Sequence, residues 1–595
     1  MEIIYIIVSA ILLVSTILIK KSDEKQNLLF WIVTSIVINL CFNVFCSFAV
    51  TLVHLKSTLV VLSIVNTVLS IVLLYRIIKK KEIQKYYIKV KDIIVFAILL
   101  ILVLFIGYKH YGLPIQIKYE TTDPAVHFDF AKTYYNTQST PAGELKTIMP
   151  GAYTNTGILF TLFANYVGEI NLYKVYIVID VVMLFLIAAA FYIGLTHKTD
   201  SILKTIVAFI GTLIFVFGYP LNSMIFGYQY LSLGILIMVS ITSMVYYIKH
   251  RELRDIYLII YMFLLTFGIF FTYYFFVPIM YSAIGLYMLF DFIKNRKDGK
   301  NIFSIFTIRN VVTVLVVLII PTIIGICYFI LPGLSSEAGT DASHISSEGY
   351  CYRNLYSNFI VFIPFVLFYC IDKLKSKRNN FTTICMIITT IFTAGILYMA
   401  LTGKASSYYY YKTYFLISIL IMQIVVKSIY KLMDNKQGIY GYSFLFVYVA
   451  IILACVFNLD GRIANRNFLV NPVSHMADLV DIYAFNIGKL QEDANIYNTE
   501  QLKAIKYLKD NGINKEELKI YGNHLQMLWA NDLAKITETE DVRELQIPVE
   551  LDVEGWLKDE NKKYYLCLNA DEEIDLSSDR YVVDYKDKDV IILKK

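Results

Sequence analysis

The sequence predicts a mostly α-helical protein: a polytopic transmembrane bundle of about fourteen helices followed by a small C-terminal α/β domain. Three observations predict it. Apolar runs of roughly 18–22 residues, long enough to cross a bilayer core, recur up to Asn458. The connections between these runs alternate between rich and poor in Lys and Arg. Beyond Asn458 the pattern changes abruptly to mixed polar sequence that continues to Lys595.

Composition excludes a soluble class. The chain is 57% hydrophobic and only 17% charged, with a mean hydropathy of +0.58. A soluble chain of 595 residues would divide into several domains, whose polar surfaces this composition cannot supply. The net charge of +6 is small, and the basic residues sit in short clusters between apolar runs, so no nucleic-acid partner is implied. The eight cysteines show no CxxC or other metal-ligand spacing. Cys41, Cys46, Cys327, Cys370, Cys385 and Cys455 lie in or beside apolar runs and read as small hydrophobes. Cys351 and Cys567 fall in stretches read as exposed, and a disulfide between them is the lesser reading.

The expected spans are 3–19, 28–50, 58–76, 93–108, 171–193, 202–218, 226–247, 257–273, 275–292, 311–330, 357–372, 382–401, 413–430 and 442–458. The first lacks a basic leader and a small-residue cleavage site, so it reads as a retained helix. One set of connections carries Lys20-Lys21, the basic residues of 76–91, Lys249-His250-Arg251, and those of 294–300, 373–378 and 427–436. Positive charge stays on the cytoplasmic side, so this set lies inside and both termini lie outside the cell membrane. Residues 1–458 then form the membrane domain, with long outer loops at 109–170 and 331–356, and 459–595 an extracytoplasmic domain. In that domain 499–511 and 525–533 read as helices, and 518–521, 564–568, 581–585 and 590–593 as strands.

The most informative stretch lies in the first outer loop, Asp123-Pro124-Ala125-Val126-His127-Phe128-Asp129. Proline suits a first helical turn, so a helix starts here, and Asp123 and His127 share one of its faces. Phe128, Ala131 and Tyr135 supply an apolar side expected to lie on the membrane surface. Asp before Pro is also a good helix cap, and capping alone accounts for an aspartate at this position. Asp129 is a second acidic candidate on another face. Asp180 lies well inside the fifth span, where a carboxylate is costly and marks either function or a polar clamp between helices. Asn39, Asn66 and Gln229 read as interhelical hydrogen-bonders. On the outer face, where Lys and Arg are scarce, Lys404 and Lys412 flank the run Tyr408-Tyr409-Tyr410-Tyr411, and Arg353 ends the second loop. The plain reading of these cations is interfacial snorkelling beside an aromatic belt, where Tyr410 and Tyr411 are expected in any case. The loop residues Asp341 and His344 offer a weak divalent-cation pair without rigid spacing, so no cofactor is fixed.

This arrangement resembles the GT-C superfamily of membrane glycosyltransferases, which take sugars from polyprenyl-phosphate carriers. Its members include oligosaccharyltransferases, protein O-mannosyltransferases and lipid A aminoarabinose transferases. The likeness rests on a long outer loop opening with an acidic motif on a helix, on further outer loops, and on an extracytoplasmic C-terminal domain. Asp123-Pro124-Ala125-Val126-His127-Phe128 is similar to the Asp-Glu-x-His-Phe motif of O-mannosyltransferases, with one extra residue before the histidine. The chain departs from the pattern in the three helices before the fourth span and in lacking a clear Trp-Trp-Asp motif after Asn458.

The resemblance implies GT-C-like extracytoplasmic loops and an inverting sugar transfer from a polyprenyl-phosphate donor to a glycan, lipid or protein acceptor. In it Asp123 is the general base and His127 orients the acceptor or the base. Lys404, Lys412 and Arg353 bind donor phosphate, and Tyr410 and Tyr411 bond phosphate or sugar. Alternatives are a flippase or transporter of lipid-linked oligosaccharides, a glycan polymerase or ligase, and a non-catalytic scaffold.

Overall fold

The computed structural model describes residues 1–119, 121–140, 150–250, 253–297, 308–331, 362–375, 380–404, 407–434, 481–491, 495–537, 539–547, 562–569, 581–588 and 590–595. Among them nine helices are long and apolar enough to cross a membrane, as a multi-pass membrane protein requires. In chain order the first helices are α1 (Glu2–Leu18), α2 (Leu28–Leu52), α3 (Leu59–Lys79), α4 (Val90–Tyr111), α5 (Asp123–Thr137), α6 (Pro150–Val167) and α7 (Leu172–Thr196). Next come α8 (Ile202–Phe217), α9 (Tyr219–Ile225), α10 (Gln229–His250), α11 (Asp255–Thr272), α12 (Val277–Lys297), α13 (Ile308–Val314) and α14 (Ile320–Gly325). The last are α15 (Ile363–Lys375), α16 (Phe381–Leu401), α17 (Ser407–Asp434), α18 (Asp481–Gln491), α19 (Thr499–Asp510) and α20 (His524–Ala534).

Several starts are fixed by side-chain caps that accept otherwise unpaired first-turn amides. Asn27 caps α2 through the Phe30 amide, Thr58 caps α3 through Val61, and Asn380 caps α16 through Thr383. The centre of the bundle is α7 and α10, most of whose described side chains are buried. Packed around them are α2, α4, α6, α8 and α11. Ile64, Ile71, Ile101 and Leu104 on α3 and α4 instead present exposed apolar faces, as lipid contact demands.

Most expected spans appear within a few residues of the sequence limits, but two regions differ. The first long loop, 109–170, holds a second helix, α6, whose Thr154, Asn155 and Thr156 are buried in the bundle. Its small and hydroxylated residues keep it outside any apolar pattern, yet they bond to neighbours: Asn155 Nδ2 donates to Leu40 O at 3.3 Å. The expected span 311–330 is helical but contains two π-turns, Leu315–Ile319 and Ile326–Ile330, on either side of Pro321. The Thr266 hydroxyl on α11 bonds the Val317 carbonyl there at 2.7 Å. The run 442–458, most of the loop 331–356 with Cys351, Arg353, Asp341 and His344, and the proposed boundary at 458 lie outside the described residues.

After α18 the chain builds the expected mixed domain. Helices α19 and α20 each begin with a reciprocal capping box, Asn498 with Gln501 and Asn523 with Gln526. A five-stranded sheet contains β3 (Leu518–Tyr521), β4 (Gln546–Ile547), β5 (Tyr564–Cys567), β6 (Val582–Asp587) and β7 (Val590–Lys594), ordered β4-β3-β5-β7-β6. Strand β3 pairs parallel with β4 and β5, while β7 pairs antiparallel with β5 and β6. A second, two-stranded parallel ladder joins β1 (Gln26–Asn27) to β2 (Tyr86–Tyr87) at the basic end of the bundle.

Cys567, expected to be exposed, is buried on β5 beside Tyr565, Ile591 and Leu593, and that burial pushes its thiol up to about 12. Asn39 bonds the Ser35 carbonyl of its own helix rather than a neighbour. Asn66 and Gln229 do bridge helices, to Ser9 Oγ at 3.0 Å and to Tyr176 O at 2.9 Å.

Candidate functional site

The site is built on α5. Thr122 occupies the position before the helix and Asp123 is its first helical residue, followed by Pro124. Asp123 therefore does not stand in the capping position, and capping does not account for it. The start of α5 rests on Gly227, between α9 and α10. A Cβ there would stand 2.9 Å from Pro124 Cβ and 2.8 Å from the Tyr119 ring, and the backbone φ is +63°. Glycine alone meets both demands. Tyr176 on α7 holds the same turn, its hydroxyl donating to Gly227 O at 3.0 Å.

One helical turn on from Asp123, His127 lies among Tyr153, Tyr228 and Tyr230, with ring centres 5.5, 6.5 and 5.0 Å away. Among the described residues its buried Nδ1 has no hydrogen-bond partner. Burial lowers the imidazole pKa to about 4; the Asp123 charge opposes this and the Lys412 charge adds to it. His127 is thus neutral at physiological pH and able to present one nitrogen as donor or acceptor.

Lys412, in the first third of α17, reaches the same place. It is 1% exposed, its ammonium stands 3.6 Å from the centre of the Tyr228 ring, and Nζ donates to Tyr230 Oη at 3.0 Å. The tyrosine faces offset part of the cost of burying a cation, and the nearby Asp123 carboxylate balances its charge. The structure therefore brings together a carboxylate, a neutral imidazole and an ammonium from distant parts of the chain. Lys404 is exposed at the α16–α17 link, apart from this buried group, and Arg353 lies outside the described residues.

The tyrosines before Lys412 are tied into the packing. Tyr411 donates to Asn222 Oδ1 on α9, while the Tyr410 and Tyr414 hydroxyls lie 2.5 Å apart. Asn222 in turn donates to Asn486 Oδ1 at 3.1 Å, which links α9 to α18. Asp180 is fully buried on α7; Tyr119 donates to its Oδ2, and Gln229 on α10 reaches the same carboxyl. The Tyr119 bond ties α7 to the loop before α5, and the Gln229 contact ties it to α10.

Phe128 and Ala131, expected on a membrane surface, are instead completely buried. Phe128 packs on Phe160, Tyr176 and Trp529 because α20 covers that side of α5. The Trp529 ring lies parallel to Tyr119 within 11°, centres 6.0 Å apart. Lys132 Nζ donates to the main-chain carbonyl of Asp532, and burial lowers its pKa below the usual lysine range. The Asp532 carboxyl is buried, and that burial, reinforced by Asp129, holds its pKa well above the usual range. Asp129 thus belongs to the α20 side rather than to the face of Asp123 and His127.

Sequence reasoning missed Tyr153, Tyr228, Tyr230, Lys132, Trp529 and Asp532. The one available signal was Gly227-Tyr228-Gln229-Tyr230, a turn residue and spaced aromatics at the mouth of an apolar run. Among the described residues no group of three His, Cys, Asp or Glu side chains gathers as a metal site. No protein-family model matches the chain, and no curated protein matches its sequence.

Proposed function

We propose that the protein is a membrane glycosyltransferase of the GT-C type, moving a sugar from a polyprenyl-phosphate donor to an extracytoplasmic acceptor with inversion. The observation that carries this reading is the convergence of Asp123, His127 and Lys412 in one tyrosine-lined place. The acceptor is a glycan, lipid or protein hydroxyl, and the cell membrane supplies the donor laterally. Asp123 takes the acceptor proton as that oxygen bonds to the anomeric carbon. The bond from the anomeric carbon to phosphate oxygen breaks, and polyprenyl phosphate leaves with the electron pair. Lys412 meets the growing phosphate charge in surroundings where water screens it weakly. His127 orients the acceptor through a ring nitrogen. In this reading about fourteen spans place both termini and the C-terminal domain outside the cell, so the site faces the outer surface.

The test is Asp123→Asn in proteoliposomes supplied with a polyprenyl-phosphate sugar and a hydroxyl acceptor. The variant is expected to keep its thermal midpoint and lose transfer; full transfer by the variant would remove Asp123 from the mechanism. Movement of a fluorescent lipid-linked sugar across the bilayer, with no new glycosidic bond, would instead favour the flippase.

A further inference from the structure

The three helices before α4 lie outside the resemblance, yet they grip the helix that carries Asp123. Helix α2 and the α2–α3 link meet the C-terminal end of α5 through buried hydroxyls. Thr140 Oγ1 donates to Ser47 Oγ at 2.7 Å, Ser47 Oγ to Ser57 Oγ at 2.7 Å, and Ser57 Oγ to the Gln138 carbonyl at 2.7 Å. The Tyr134 hydroxyl enters this chain 3.0 Å from Ser47 Oγ and 2.8 Å from Ser57 Oγ. The Ser57 main-chain N–H also donates to Gln138 O, at 2.6 Å. Gln138 itself ends α5 at φ +53°, a conformation unfavourable for a residue with a side chain, and these bonds hold it there.

The other side of Tyr134 is equally confined. Helix α6 approaches so closely that a Cβ on Gly157 would lie 2.4 Å from the Tyr134 ring. An α-helix is stiff along its axis, and Asp123 and Tyr134 are about 16 Å apart on it. A shift at one end is therefore carried to the other.

We infer that α2 and the α2–α3 link are a positioning element of the site: the Ser47–Ser57–Tyr134 lock fixes the C-terminal end of α5 and so sets Asp123 and His127 in register with Lys412. The register matters because the candidate base and the cation stand on different helices, and a displacement near 1 Å between such groups costs about a hundredfold in rate. This inference rests on the transferase reading for its kinetic consequence, but not for its structural one. Tyr134, Ser47 and Ser57 are positioning residues, acting through α5.

The test uses the full-length protein in nanodiscs, as Tyr134→Phe and, independently, Ser57→Ala. Amide hydrogen exchange across α5 is expected to rise about tenfold in both, with α7 and α10 unchanged. Transfer should lose about tenfold in kcat at constant KM. Should Tyr134→Phe fail to fold, the milder Ser57→Ala carries the same expectation. Unchanged exchange in α5 overturns the lock, and so does an even rise across the whole bundle with kcat intact. A wild-type protein without transfer activity overturns the proposed function, while α5 exchange still decides whether the lock exists.

Discussion

The Lys412 ammonium stands 3.6 Å from the centre of the Tyr228 ring and donates a hydrogen bond to Tyr230. In the proposed function this buried lysine, set against aromatic faces, meets the phosphate of the donor. Replacing it with methionine keeps the stem volume and removes the charge. Lys412→Met is expected to fold and to lose about a hundredfold in transfer, mostly as weaker donor binding. Donor titration checks this, and an unchanged KM would remove Lys412 from phosphate recognition.

His127 gives a pH prediction whose sign follows from its depressed pKa. Between pH 6.5 and about 4 the unfolded imidazole binds a proton that the folded one does not. Stability is therefore full above the unfolded pKa and falls as the pH drops through this window, by roughly 3 kcal/mol in total. His127→Gln should flatten that acid limb. Thermal melts at half-unit pH steps compare the two proteins, and coincident slopes would exclude a buried neutral histidine.

Gly227→Ala places a methyl group against Pro124 and Tyr119 at a residue with positive φ. It is expected to cost about 1–3 kcal/mol and to displace the start of α5. A lower thermal midpoint together with reduced transfer is the expected pair of results. A variant as stable as the wild type would show that the turn can shift without cost.

The contact between Lys132 and Asp532 predicts an asymmetry. Lys132→Met leaves a buried carbonyl without its donor and is expected to cost about 1–3 kcal/mol. Asp532→Asn should cost under about 1 kcal/mol, because burial already keeps this carboxyl uncharged and the amide has nearly its shape. Melting curves of the two variants decide the order, and the reverse order would mean that Asp532 acts as a charged partner.

Legibility followed what the bilayer imposes on sequence. A helix that meets lipid must be apolar for some twenty residues, so α2, α3, α4 and α16 stood out from composition alone. The first half of helix α6 is buried in protein, and its Thr154, Asn155 and Thr156 bond to Thr140, Leu40 and Gln229, so no apolar run marked it. Asp123 and His127 could be paired because one helical turn relates them. Lys412 could be singled out as a rare cation on its face, but its place beside Tyr228 is a tertiary fact that local spacing does not encode. The same limit explains Phe128 and Ala131: an apolar stripe says that something covers it, and here the cover was α20 rather than lipid.

Lys132 bonds a carbonyl four hundred residues further along the chain. Closing so long a loop is slow compared with forming helix hairpins, and it requires the final segment of the chain to have emerged from the ribosome. The helix bearing Asp123 therefore receives one of its supports only at the end of biogenesis. Chains interrupted before α20 can insert their hairpins yet would leave this helix uncovered on the side that Trp529 closes.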